Sequence, residues 1–204
     1  MREQYNSIAF TPSVAAEQER YGSRMAYARQ AGRQDGADIG GMGRDEADFL
    51  AQQDGFYLAT VSETGWPYVQ YRGGPLGFLK VLDPRTLGWA DFRGNRQYIS
   101  MGNAANNARA SIIVMDYARR ARVKFFGTMS VEDVRDDQSR ADALKVPGYK
   151  GIVERAIRFD VAAFDWNCPQ HITQRYSEDQ IAKGVARLYA RIEALEAEVA
   201  ALKG

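Results

Sequence analysis

Metal and disulfide chemistry have little to work with in this chain of 204 residues, which carries one cysteine, Cys168, and one histidine, His171. A single thiol excludes an internal disulfide, and one thiol with one imidazole leaves no usual zinc constellation. Charge of one sign is also lacking, with 27 lysines and arginines against 26 acids and a net charge of +1. That balance argues against bulk nucleic-acid binding, and any basic site has to be local. No apolar stretch reaches the roughly 18 uncharged residues of a membrane span. The opening MREQYNSIAFTPS lacks the apolar core of a signal peptide, so the expectation is a soluble, cytoplasmic protein without a membrane partner.

What is present falls into three parts. Thr11 and Pro12 form an N-cap and N1 pair that opens an amphipathic, charged helix over 11–31, ahead of the glycine-rich GRQDGADIGGMG. Residues 1–43 therefore read as a helical extension and linker, 44–176 as the main domain and 177–204 as a terminal helix. Within the main domain a short helix over 44–53 precedes FYLATV (56–61), the turn SETG and WPYVQYR (66–72), a hairpin of aromatic and branched residues. GFLKVL (77–82), DPRT and LGWADF (87–92) read as a second hairpin. A helix opening near Asn95 follows, then ASIIVMDY (110–117) and VKFFGTMSVE (123–132) as a third hairpin, a charged helix over 136–145 and a long last strand over 155–166. Six or seven antiparallel strands with short helices between them predict a closed or nearly closed β-barrel, a mainly β fold with flanking helices (β+α).

In the terminal segment Val185, Leu188, Ile192, Leu195, Val199 and Leu202 recur at alternating spacings of three and four. Branched residues hold the a positions and leucine every d, the combination that favours a parallel two-stranded coil. The other reading is one amphipathic helix docked on its own barrel, because fewer than three heptads are marginal alone.

The stretch DFRGNRQYISMGN (91–103) poses the chemical question. Asn95 is the natural N-cap of the helix it opens, yet Arg93 and Arg96 crowd the positive end of the helix dipole and no acid follows in the first turns. Free amides and guanidinium forks at one helix start suit a phosphate monoester, with Gln97 as a further donor. The same residues also read as two solvated arginines with their stems on the barrel.

In PLGFLK (75–80), DPRT, LGWADF, GNRQ (94–97) and NARASI (107–112), taken in that order, the chain resembles the pyridoxamine 5'-phosphate oxidase superfamily, the FMN-binding split β-barrels. The corresponding family motifs run R-x-V-L-L-K, an aromatic strand, G-S-R-K opening a helix, and N-P-R-V-S-L. The segment FDWNCPQHITQRY (164–176) resembles uncharacterised bacterial members more than the oxidase itself. The resemblance implies an antiparallel split barrel, an FMN cofactor between two subunits of a homodimer, and a flavin that takes a hydride from a reduced small-molecule donor. It puts Arg96 and Gln97 on the phosphate-binding Arg-Lys pair, with Arg93 and Arg72 as available compensating cations. Pro75, Leu76, Gly77, Phe78, Leu79 and Lys80 fall on the strand lining the isoalloxazine edge, with Lys80 near N1 and O2. Ala90 and Asp91 fall on a small polar pair near the phosphate, where an aspartate is unfavourable unless it orients an arginine. Arg122 matches a position that gives the flavin a polar side chain.

Trp166, Asn167, His171 and Arg175 are expected to border the pocket, and the oxidase's Arg-x-Trp substrate signature is not visible, so pyridoxine 5'-phosphate is not the expected substrate. Cys168 and His171 are three apart, as a thiolate and imidazole or half a metal site would be, but nothing completes either arrangement. No G-x-G-x-x-G follows a strand, so any nicotinamide nucleotide is a visiting substrate. Two alternatives stay open: a module that binds flavin, haem or deazaflavin without turnover, and an interaction scaffold assembled through the heptads.

Overall fold

A computed structural model of the chain describes residues 2–31, 41–135, 138–167 and 169–203. Along it run α1 (Arg2–Ala9), α2 (Pro12–Arg20), α3 (Arg24–Ala31), α4 (Arg44–Leu50), β1 (Gly55–Val61), β2 (Pro67–Gly73), β3 (Lys80–Asp83), β4 (Thr86–Phe92), α5 (Ile99–Asn106), β5 (Arg109–Asp116), β6 (Ala121–Asp133), α6 (Gln138–Leu144), β7 (Val153–Asn167) and α7 (Glu178–Lys203). Seven strands form one antiparallel sheet in the order β2-β1-β5-β6-β7-β4-β3, with helices on its flanks. This is the mainly antiparallel β+α fold that the hairpin pattern predicts, in the split-barrel form that the resemblance implies. The chain divides into two compact units, Met1–Met115 with Arg122–Cys168, and Asp116–Ala121 with Pro169–Gly204.

The sheet unit follows from alternation. In β1, Phe56, Leu58 and Thr60 point inward and the residues between them are partly exposed, the period-two pattern of a strand with one buried face. Phe56 stacks on Phe78 at 5.7 Å and meets Trp89 edge-on at 5.1 Å, and Leu58, Leu87, Ile112, Val114, Phe125 and Phe159 complete a core from which water is excluded. β7 is long because it serves two neighbours: it pairs with β4 from Thr86↔Asp160 to Phe92↔Val153, and with β6 from Arg122↔Asn167 to Asp133↔Arg155. Gly127 sits at the register shift on β6, where a Cβ would lie 2.3 Å from the Asp160 carbonyl and 2.6 Å from the Phe159 ring.

Two local expectations are corrected. Residues 11–31 are two helices, α2 and α3, broken at Gly22 with φ 73°; the Thr11 cap itself holds, its hydroxyl accepting from Val14 N at 3.4 Å. The extension also adds α1, whose buried Tyr5 packs on Phe126 at 4.9 Å. The strand expected over 77–82 begins at Lys80, because Pro75–Leu79 is a turn: Phe78 N donates to Pro75 O at 3.0 Å and Gly77 N to Gln53 O at 3.1 Å. Phe78 and Leu79 are apolar because they plug the core, not because the backbone is extended. The glycine-rich linker lies mostly outside the described residues, as does Cys168.

In the second unit Arg119 N donates to Asp116 Oδ1 at 2.8 Å, Gln174 Nε2 to the Ala118 carbonyl at 2.6 Å, and Arg175 stacks over Tyr117 at 5.1 Å. His171 is exposed with φ 61°. α7 runs for 26 residues and buries none of them. Among the described residues no helix is long and apolar enough to cross a membrane.

Candidate anion-binding site

The site grows from the end of β4. Asp91 is buried, and its carboxylate accepts from Arg72 Nη1 of β2 at 2.6 Å and from Arg155 Nη1 of β7 at 3.2 Å. An aspartate in this place therefore orients two guanidinium groups rather than opposing an anion. Arg155 opposes Asp91 in the β4–β7 register, and its guanidinium lies 4.4 Å over the Tyr98 ring. Its neighbour Glu154 accepts from Arg93 Nε at 2.8 Å and from the Tyr98 hydroxyl at 3.2 Å. Arg96 Nε donates to the same hydroxyl at 3.2 Å, so Tyr98 relays between Arg96 and Glu154.

The loop that makes this possible is strained. Arg96 and Tyr98 have φ 61° and 56°, a left-handed conformation that costs about 1 kcal/mol for each non-glycine residue. Asn95 is not the helix cap: its side chain accepts from Gln97 N at 3.2 Å within the loop, and α5 starts at Ile99 with Tyr98 as an N-cap that supplies no side-chain hydrogen bond. The helix start thus has neither a capping side chain nor an acid in its first turn, which leaves it favourable to an anion.

Two cavities flank Tyr98. One of about 360 Å³ is lined by Arg93, Arg96, Arg135 and Arg155 with Asp133 and Glu154. The other, about 200 Å³, is lined by Gln70, Arg72, Asp91, Asn95, Arg96 and Tyr98 among others. Together they bring five arginines to three carboxylates, a surplus of two positive charges. Arg72 Nε, on the wall of the second cavity, is buried without a hydrogen-bond partner. The hydrogen bond from Arg93, followed by that from Tyr98, holds the Glu154 carboxyl below the usual carboxylate range. Arg135 holds Asp133 lower still, and the Tyr98 oxygen raises Arg96. Burial opposes the charge on Arg155, but Tyr98, Asp91 and Glu154 outweigh it and push its pKa upward.

Of the residues singled out from sequence, the structure brings Arg72, Asp91 and Arg96 to one cavity. Ala90 is buried in the sheet beside Asp91, packed with Leu144 and Ala156. Gln97 lines neither cavity, and neither do Pro75, Leu76, Gly77, Phe78 and Leu79. Lys80, expected at the flavin edge, has its ammonium donating to the carbonyls of Ala143 and Lys145 at 3.1 Å each, at the C-terminal end of α6. Arg122 opposes Asn167, at the other end of β7 from Arg155 and roughly 40 Å away along the strand path. Trp166 is engaged elsewhere, its Nε1 donating to Glu46 Oε1 at 2.8 Å. Sequence reasoning did not find Glu154 or Arg155, since only strand pairing brings β7 to the end of β4, and it also passed over Tyr98 and Arg135.

A family model described as pyridoxamine 5'-phosphate oxidase matches residues 44–166. No curated protein matches the chain. Among solved structures the chain is similar to HupZ of Group A Streptococcus, at 16% identity over 66% of this chain and 100% of that one with a TM-score of 0.47. It is similar to a Clostridium acetobutylicum protein related to general stress protein 26, at 14% identity over 67% and 94% with a TM-score of 0.47. An FMN-binding protein from Syntrophomonas wolfei is 14% identical over 69% and 97% with a TM-score of 0.49.

Proposed function

This chain belongs to the pyridoxamine 5'-phosphate oxidase family, and we propose that it is an FMN-binding oxidoreductase that works as a homodimer on a substrate other than pyridoxine 5'-phosphate. The observation that carries the reading is the surplus of two positive charges over the two cavities that flank Tyr98 and share Arg96, which complements a phosphate monoester close to its dianionic form. Arg96 is the anchor: it is exposed, and its Nε donates to a neutral hydroxyl rather than to a carboxylate. Arg72 brings a buried Nε without a partner and is aimed by Asp91. Glu154 and Tyr98 hold Arg96 and Arg155 apart, so the guanidinium groups are positioned before an anion arrives and less entropy is lost on binding.

Bound at this site, FMN would supply two-electron hydride chemistry between a reduced small-molecule donor and an acceptor. The chain's own task is to bind and orient, and no side chain is required as a general acid or base.

Two features support the homodimer. On the edge strand β2, Val69 and Tyr71 share the outer face and are 61% and 54% exposed, and Trp66, just before the strand, is 76% exposed, apolar surface that a second copy would cover. Arg122, in turn, reaches a site with Arg96 most directly if it comes from another subunit. A second contact between the copies is a coiled coil of their α7 helices.

An absorption spectrum of the protein purified without added cofactor, repeated after FMN addition and desalting, tests the binding. Retained flavin bands that bleach anaerobically with NADH or NADPH fit the enzyme. Retained bands that no donor bleaches leave a binding module, and a colourless protein that ignores FMN overturns the proposal.

A further inference from the structure

The heptad seam of α7 is uncovered: Val185, Leu188, Ile192, Leu195, Val199 and Leu202 are all exposed, and a shallow groove lies along Ile192, Leu195, Glu196, Val199, Ala200 and Lys203. An apolar stripe of this length calls for a partner. We infer that the partner is the same helix of a second copy, in a parallel, in-register two-stranded coil with defined ionic contacts between Arg191 and Glu196 and between Glu198 and Lys203.

The charges choose the orientation. With Val185, Ile192 and Val199 at a, and Leu188, Leu195 and Leu202 at d, the g positions are Gly184, Arg191 and Glu198, and the e positions are Tyr189, Glu196 and Lys203. In a parallel coil each g residue faces the e residue five positions on in the partner helix. Arg191 then meets Glu196 and Glu198 meets Lys203, opposite signs in both cases and twice over by symmetry. An antiparallel pair with full overlap sets g against g and e against e. Arg191 still meets Glu198, but Glu196 faces Tyr189 and Lys203 faces Ala182, so half of the attractive contacts are lost. Branched a residues and leucine at every d favour the same parallel pair.

The inference rests on the homodimer reading, because fewer than three heptads are marginal alone. Copies joined at their sheet faces bring the seams to an effective concentration that makes a short coil stable. No contact of α7 with FMN is required.

The test is cysteine cross-linking in full-length chain with Cys168→Ser as background. Leu188→Cys places the two thiols of a parallel coil face to face at a d position, within disulfide reach. An antiparallel coil sets Leu188 against Val199 and leaves the thiols about 16 Å apart. Under mild oxidant Leu188→Cys is expected to give mostly disulfide-linked dimer and Ala190→Cys, on the outer face, almost none. Adding Arg191→Glu should slow the cross-link several-fold, and adding Glu196→Lys to that variant should restore it. Equal linking at 188 and 190 overturns the coil. Sedimentation of the reduced protein separates the two readings: a dimer without selective linking at 188 leaves the sheet-face homodimer standing, and a monomer removes both.

Discussion

Arg72 and Asp91 form a buried ion pair, 2.6 Å from Nη1 to Oδ1 and 16% and 5% exposed, that ties β2 to β4 across the mouth of the candidate site. Arg155 joins it from β7 at 3.2 Å. Asp91→Asn leaves two guanidinium groups facing a neutral amide and is expected to cost about 2–3 kcal/mol of unfolding free energy. In denaturant titrations Arg72→Met and Asp91→Asn together should cost less than the sum of the two, since each single variant already breaks the contact. Additive costs would mean that the pair is not coupled.

Stability should depend on pH through Glu154. Its folded pKa lies below the usual value, chiefly because Arg93 donates to it, so the unfolded chain binds the proton more readily as pH falls. The contribution is fully present above the ordinary glutamate range and is lost as pH drops through the lower folded value. Glu154→Gln should therefore be less stable than the parent at neutral pH, and the gap should begin to narrow below about pH 4 and vanish only once pH has passed the lower folded value. A gap that is constant down to acid pH would contradict the assignment.

Lys80 separates helix closure from cofactor electrostatics. With its ammonium on the last carbonyls of α6, Lys80→Met should lower stability by about 1 kcal/mol while FMN affinity stays as it was. A tenfold loss of FMN affinity with stability unchanged would return Lys80 to the flavin.

Gly127 has no room for a side chain beside the Asp160 carbonyl and the Phe159 ring. Gly127→Ala should destabilise by about 1–3 kcal/mol, measured as a fall in Tm, whereas Gly94→Ala, in open space, should be close to neutral.

Particular elements show what local pattern can carry. β1, β2 and β4 were legible because branched and aromatic residues alternate between turns such as Ser62–Gly65, whose Gly65 N donates to Ser62 O at 2.9 Å. Pro75–Leu79 misled because apolar residues report burial and not extension. Asn95 looked like a cap by chemistry alone, but the left-handed backbone at Arg96 and Tyr98 moves the helix start to Ile99, and nothing in those two side chains announces it. Arg96 stands out in the local stretch from Asp91 to Asn103, whereas the roles expected for Arg72 and Asp91 came only from the resemblance. Glu154 and Arg155 lie far along the chain, and only the β4–β7 register delivers them to Asp91.

The central claim is that this arginine cluster holds the phosphate of FMN, and fluorescence titration with FMN and with riboflavin, which lacks the phosphate, tests it most directly. The parent protein should bind FMN at least about tenfold more tightly than riboflavin, and Arg96→Ala should erase most of that difference while leaving the weak riboflavin affinity unchanged. Equal affinity for the two ligands, or an FMN preference that survives Arg96→Ala, would contradict the account.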